Sequence, residues 1–120
     1  MPGDDQLAQT PAPPYVAVIF TSIRTEADDG YAELSALMQE LAREQPGYLG
    51  IESARDALDI TVSYWATTEA ARSWKAVAEH RGAQRLGRER WYRTYRVRVA
   101  TVEREYGSGR DPGAPDAPSA

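Results

Sequence analysis

The chain carries one histidine, His80, and no cysteine in 120 residues. Those two counts bound the chemistry at once. Without thiols there is no disulfide, no thiolate nucleophile and no Cys-ligated metal. One imidazole, with no multi-histidine or HxxE spacing around it, is too few donors for a transition-metal site, so no metal is expected. His80 is also the one side chain whose ordinary pKa suits proton transfer near neutrality. It falls toward the end of a helical pattern, beyond Trp74. It reads either as a pocket base or hydrogen-bond donor, or as a solvated residue favoured by the dipole of a helix C-terminus.

Aromatic residues are the second chemical resource. Trp65, Trp74 and Trp91 are the only tryptophans, accompanied by Tyr64, Tyr92 and Tyr95. Flat aromatic walls suit a flat ligand, and the same residues also serve to build a small core. Trp74 is the leading pocket wall, because it is read as sharing a helix face with the direction of His80. Glu52 and Arg55 flank a hairpin. An inward Glu52 would need a partner, and the structural alternative is an ion pair with Arg55 or with an arginine of the last strand. Ser22 and Ser63 place hydroxyls on otherwise apolar strands, where they can meet a ligand or bond the backbone.

The elements that must position these residues follow from changes of hydrophobic period. Tyr15–Ile23 is rich in β-branched and aromatic residues and predicts a strand that is apolar on both faces. Asp28-Asp29-Gly30 offers helix-capping carboxylates. Tyr31, Leu34, Leu37, Met38 and Leu41 then recur at helical spacing until Pro46-Gly47 stops the helix. Tyr48–Ala54 predicts a second strand and Ile60–Trp65 a third. The short connection Arg55–Asp59 between them makes the pair an antiparallel hairpin. Thr67 or Thr68 can cap the next helix, whose stripe is Ala70, Trp74, Val77 and Ala78. Gly82 and Gly87 predict a break into a second short helix. Trp91 and Tyr92 lead into a last strand, Arg93–Arg104.

Strand, helix, strand, strand, helix, strand predicts an α+β fold. It is a ferredoxin-like βαββαβ unit with a four-stranded antiparallel sheet and both helices on one face. The other face also carries apolar residues, so a second copy is expected to cover it, sheet against sheet, in a homodimer. Residues 1–14 end in a Pro-rich stretch and residues 107–120 hold Gly, Pro, Asp, Ser and Ala without a large apolar residue, so both are expected to be disordered tails around one domain, 15–106.

Net charge is −4. Arg81, Arg85, Arg88, Arg90, Arg93, Arg96 and Arg98 form a basic segment, but Glu89, Glu103 and Glu105 dilute it and no nucleic-acid module matches. Neither nucleic acid nor an anionic membrane is an expected partner. No apolar run approaches the ~20 residues of a membrane span. The N-terminus lacks a basic start and an apolar core segment, so the expected compartment is the cytoplasm. No Gly-rich phosphate loop opens a helix, and no nucleotide cofactor is indicated.

Taken together, Glu52-Ser53-Ala54-Arg55, Ser63-Tyr64-Trp65, Trp74-Lys75, His80-Arg81-Gly82-Ala83-Gln84 and Arg88-Glu89-Arg90-Trp91-Tyr92 resemble the antibiotic biosynthesis monooxygenase family over about residues 15–106. The resemblance implies a dimeric α+β barrel and a pocket between helices and sheet. It also implies cofactor-independent oxidation of a small aromatic or quinol-type metabolite by O₂. In that picture His80 is the base or donor, and Trp74, Trp65, Tyr64, Trp91, Glu52, Arg55 and Ser22 surround the substrate. A non-catalytic accessory protein sheltering a small molecule is the alternative. Heme-degrading relatives carry an Asn on the first strand, a Trp on the second helix and a His further along it. Trp74 could fill the Trp role, but this chain has no Asn. His80 also comes one turn too early, with Gln84 near the required position, which argues against heme degradation.

Overall fold

A computed structural model of the chain describes residues 7–26, 30–84 and 92–108. The element order is β1 (Tyr15–Arg24), α1 (Tyr31–Arg43), β2 (Tyr48–Ala54), β3 (Asp59–Trp65), α2 (Thr68–Gln84) and β4 (Tyr92–Val102). The strands form one antiparallel sheet in the order β2-β3-β1-β4. This is the ferredoxin-like arrangement expected from the order of elements.

β1 is central because it is the strand that can be buried on both sides. Tyr15, Val16 and Ala17 are all buried, although alternate residues of a strand point to opposite faces. Register then sorts the sheet into an inner and an outer face. Val16 lies opposite Trp65, Val18 opposite Ser63, Phe20 opposite Thr61 and Ser22 opposite Asp59. On the other flank of β1 the same residues meet Thr101, Val99, Val97 and Tyr95 of β4. All of these share the face on which the helices lie. Ala17, Ile19 and Thr21 share the outer face with Tyr64, Val62 and Ile60.

The core is confined to one end of the inner face. Val16, Ala42, Trp65, Ala71 and Trp74 are buried together, with Met38, Leu41, Tyr48 and Val77 packed around them. Trp65 is fully buried and stacks on Trp74 at 5.6 Å between ring centres. Its indole Nε1 donates to Ser63 Oγ at 2.9 Å, so burying the ring leaves no polar atom unsatisfied. Local chemistry brings α2 onto this cluster. Thr67 Oγ1 accepts the backbone N–H of Ala70 and caps the helix. Gly47 turns the chain with φ +83°, and a Cβ there would stand 2.6 Å from Ala70 Cβ. A side chain at Gly47 would therefore push the α1–β2 turn off α2.

Some local expectations give way to the structure. α1 starts at Gly30 in a left-handed conformation with no side-chain cap, and Asp28 and Asp29 lie outside the described residues. α2 passes through Gly82 to Gln84 without breaking there; Gly87 and any later short helix lie outside the described residues. Asp59 opens β3 and is not part of the connection before it.

Residues 7–14 were expected to belong to a free tail, yet they lie on the outer face. The Ala8 N–H donates to a Glu52 carboxylate oxygen at 3.0 Å, and Thr10 Oγ1 is 3.0 Å from both Tyr15 Oη and Glu105 Oε1. A Cβ at Gly50 would come within 2.7 Å of Ala8 Cβ, so the bare backbone of Gly50 is what lets this segment approach. The physical reason is pairing: the segment brings donors to Glu52 and Glu105, and Thr10 also meets the Tyr15 hydroxyl. Residues 1–6 and 109–120 lie outside the described residues.

Because the core is small and depends on one stacked indole pair, Trp65→Ala is expected to lower stability by about 3–5 kcal/mol. Val99→Ala, at an exposed edge position, is expected to stay within about 0.5 kcal/mol. Urea unfolding of the two variants measures both values.

Candidate functional site

Beyond the Trp65–Trp74 pair, the two helices and the sheet stop touching and leave a cavity of about 240 Å³. β1 and β3 provide its floor: Val18, Phe20 and Ser22 from one, Asp59, Thr61 and Ser63 from the other. Tyr31, Leu34 and Met38 of α1 form one wall. Trp74 and Ala78 of α2 form the other, and Tyr92, Tyr95 and Val97 of β4 close the far side. Gln39, Lys75 and Glu79 supply polar groups at the helices, where Lys75 Nζ and Glu79 are 3.6 Å apart. The volume lies just below the roughly 300–1,000 Å³ usual for ligand pockets and suits a molecule of one or two rings.

The cavity has unlike ends. At the core end Trp74 presents its indole, backed by Trp65. At the other end Phe20 stacks on Tyr95 at 5.4 Å and meets the edge of Tyr92 at 5.3 Å, and Tyr92 meets Tyr31 at 6.0 Å. The Tyr92 hydroxyl donates to Tyr31 Oη at 3.4 Å. The guanidinium carbons of Arg24 and Arg55 stand 3.6 and 4.7 Å from the centre of the Tyr31 ring, geometry that suits cation–π attraction.

A polar pair sits at the far aromatic end, where Ser22 is the cross-strand partner of both Asp59 and Tyr95. Ser22 is 2% exposed and Asp59 9% exposed. Ser22 Oγ and Asp59 Oδ2 have no hydrogen-bond partner among the described residues. Arg55 Nε approaches that Asp59 oxygen only to 3.5 Å, from a side chain that is half exposed. Burying a polar group without a partner is unfavourable, and here two such atoms are cross-strand neighbours facing one cavity.

The residues singled out by sequence separate into five places among the described residues. Ser22 and Trp74 line the cavity. Trp65 is core beneath Trp74 and does not reach the cavity. Tyr64 and Glu52 lie on the outer face, where the Tyr64 hydroxyl donates to Glu52 at 2.7 Å and Tyr15 meets Tyr64 edge to face. Arg55 sits at the hairpin beside Asp59 and Tyr31. His80 is exposed on α2 and does not line the cavity. The expectation that it shares the face of Trp74 fails on helical geometry, since six residues at about 100° each leave the two side chains ~120° apart. Trp91 lies outside the described residues. Asp59 is not singled out by the sequence, where it reads as a hairpin residue. The signal that could have found it is parity, because Asp59, Thr61 and Ser63 alternate in step with the core residue Trp65.

Two half-buried phenols carry an electrostatic signature. Tyr92 at the cavity is held well above the ordinary phenol range, first by desolvation, then by its bond to Tyr31. Tyr64 on the outer face is raised for the same first cause, and then by Glu52, whose carboxylate resists a second negative charge. Among the described residues no group of three His, Asp or Glu could hold a metal ion, and no helix is long and apolar enough to cross a membrane.

A four-stranded antiparallel sheet with both helices on one face and a cavity between the layers defines a ferredoxin-like α+β domain, and residues 14–86 match the model of the antibiotic biosynthesis monooxygenase family. The chain belongs to that family. It is 50% identical over 103 residues to the uncharacterized protein YqjZ of Bacillus subtilis (strain 168), covering 84% of this chain and 90% of that one. Among solved structures it is similar to the NE2512 protein of unknown function from Nitrosomonas europaea, with a TM-score of 0.52 at 11% identity. That match covers 89% of this chain and 97% of the other, and it shows a shared fold.

The raised phenols set an alkaline limit. The folded state keeps protons that the unfolded chain releases above about pH 10. The stability they provide is therefore complete below that pH and is lost as pH rises toward the folded values. Unfolding followed from pH 8 to pH 12 is expected to show falling stability above about pH 10. In the double variant Tyr64→Phe/Tyr92→Phe that fall is expected to be shallower.

Proposed function

We propose that the domain is a cofactor-independent monooxygenase-like protein that binds a small aromatic or quinol-type metabolite in the cavity between the helices and the sheet. One observation carries the reading: a ring-sized cavity has aromatic groups at both ends and a buried, unsatisfied polar pair on its floor. An apolar ring gains from the walls, and its oxygen substituents gain from the pair.

The chemistry asked of the protein is limited. An electron-rich phenol loses its proton, and the resulting anion reacts directly with O₂. For an activated carbon the sum RH₂ + O₂ → RO + H₂O balances, with the substrate supplying all the electrons. What remains for the protein is to position the ring, accept a proton and steady the oxygen anion. Of the two carboxylates that line the cavity, Glu79 is exposed on α2 and Asp59 is buried on the floor, so Asp59 is placed to accept the proton, while Arg55 stands beside it to favour the anion that results. His80 faces solvent and has no part in this scheme. The accessory-protein alternative uses the same cavity without turnover.

The outer face belongs to the same proposal. Ile23 and Ile60 are more than one-third exposed there, and a second copy placed sheet to sheet would cover them, as the family resemblance implies. Sedimentation equilibrium is expected to give twice the 13.3 kDa chain mass, and Ile60→Arg is expected to shift the population toward the monomer. In a Clark-electrode assay with a panel of quinols and phenols, the wild type is expected to consume O₂. Asp59→Asn should be slower by ~10²-fold or more, the usual size of a general-base effect, and His80→Ala should be unchanged. Wild-type protein that binds these ligands with no O₂ uptake points to the accessory role.

A further inference from the structure

We infer that Ser22 and Asp59 form a hydroxyl-recognition pole that sets the ligand class of the cavity: a ring bearing a free O–H, with ethers and ammonium groups rejected. The inference rests on the cavity being the ligand site.

The pole is assembled by strand register. Ser22 of β1 and Asp59 of β3 are direct cross-strand partners, so their side chains leave the sheet on one face, a few ångströms apart. Both line the cavity, Ser22 almost fully buried and the Asp59 side chain 12% exposed. Their free atoms are complementary. Asp59 Oδ2 can only accept, whereas Ser22 Oγ can donate and accept. Neither atom has a hydrogen-bond partner among the described residues, not even the other. A ligand hydroxyl answers both, donating its proton to Asp59 while accepting from Ser22. Left empty, the buried Ser22 Oγ has no hydrogen-bond partner among the described residues and Asp59 Oδ2 has only the 3.5 Å ion pair with Arg55, a state native proteins rarely tolerate without a function or a bound molecule.

Charge narrows the class further. A lone carboxylate among aromatic rings would suit an ammonium ion. Here Arg55 Nε lies 3.5 Å from the same oxygen, so the pair is neutral overall and an incoming cation also meets a guanidinium. A neutral hydroxyl avoids that repulsion. The ring to which it is attached then lies along Phe20 and Thr61 toward Trp74, the cavity's long apolar side. An ether of the same shape places a methyl group against Asp59 and leaves its Oδ2 without a hydrogen-bond donor. A missing bond to a buried charged group is worth tenfold or more in affinity, by the size of charge-assisted hydrogen bonds.

The test uses naphthol, its methyl ether methoxynaphthalene, and naphthylmethylammonium, titrated into the full chain by calorimetry. Wild type is expected to prefer naphthol over the ether by at least about tenfold, with the ammonium weaker still. Asp59→Asn, checked for folding by circular dichroism, is expected to bring the naphthol-to-ether ratio below about threefold, and Ser22→Ala to lower it to an intermediate value. Equal binding of naphthol and ether by wild type overturns the inference, as does an Asp59→Asn protein that keeps the wild-type ratio. If Asp59→Asn does not fold, Ser22→Ala decides, and an unchanged ratio there counts against the pole. Tightest binding of the ammonium also overturns it. Selective naphthol binding without O₂ uptake on any quinol removes the oxygenase reading and leaves the pole standing. O₂ uptake with equal binding of naphthol and ether does the reverse.

Discussion

The structure depends on the register of β3 against β1. Strand residues alternate faces, so one choice of pairing assigns every side chain of β3. In the observed pairing Asp59, Thr61, Ser63 and Trp65 face the helices, and Ile60, Val62 and Tyr64 face away. A slip by one residue would put the apolar set under the helices and close the cavity with side chains. It would also put Asp59 on the outer face and pull Trp65 from the core. What holds the register is the Trp65 end. The indole is fully buried, stacked on Trp74 and hydrogen-bonded to Ser63, so the polar residues of the strand are carried inward along with it.

That assignment divides the inner face into a packed half and an open half. The packed half supplies the stability and the open half supplies the site. The domain has too small an inner face to fill both with apolar side chains and still keep a ligand cavity. The aromatic cluster of Phe20, Tyr31, Tyr92 and Tyr95 props the open half apart at its far end. Rings are suited to this, because they resist collapse by filling volume rigidly while their edges and hydroxyls remain available to neighbours.

The outer face is managed differently. Its apolar residues are shared between the segment 7–14, which crosses near Gly50, Tyr15 and Tyr64, and open positions such as Ile23 and Ile60. Glu52 and Tyr64, which from their types alone could belong to a reactive site, are used to fasten that segment. Their hydrogen bonds are made within the chain, in contrast to those of Ser22 and Asp59. Among the described residues, Ser22 Oγ has no hydrogen-bond partner and Asp59 Oδ2 has only the Arg55 ion pair.

The elements and their order were legible in the sequence because they rest on local physics. β-branched runs, a helical stripe and Thr67 as a cap each act within a few residues, and together they led to βαββαβ and the ferredoxin-like sheet. Trp74 and Ser22 were also legible as cavity candidates, since each stood out within its own element. The rest of the site was not, because it depends on which side of the sheet the helices occupy and on pairings between strands distant in the chain. Nothing local tells that Asp59 belongs to a strand whose inward parity is set by Trp65. Nor does anything local tell that His80 lies a third of a turn away from the cavity, or that a Pro-rich segment finds two carboxylates to bond. By itself the sequence determined the elements, their order and the absence of thiol chemistry. The tertiary structure alone decided which polar atoms were buried without partners, because that property belongs to the space between elements.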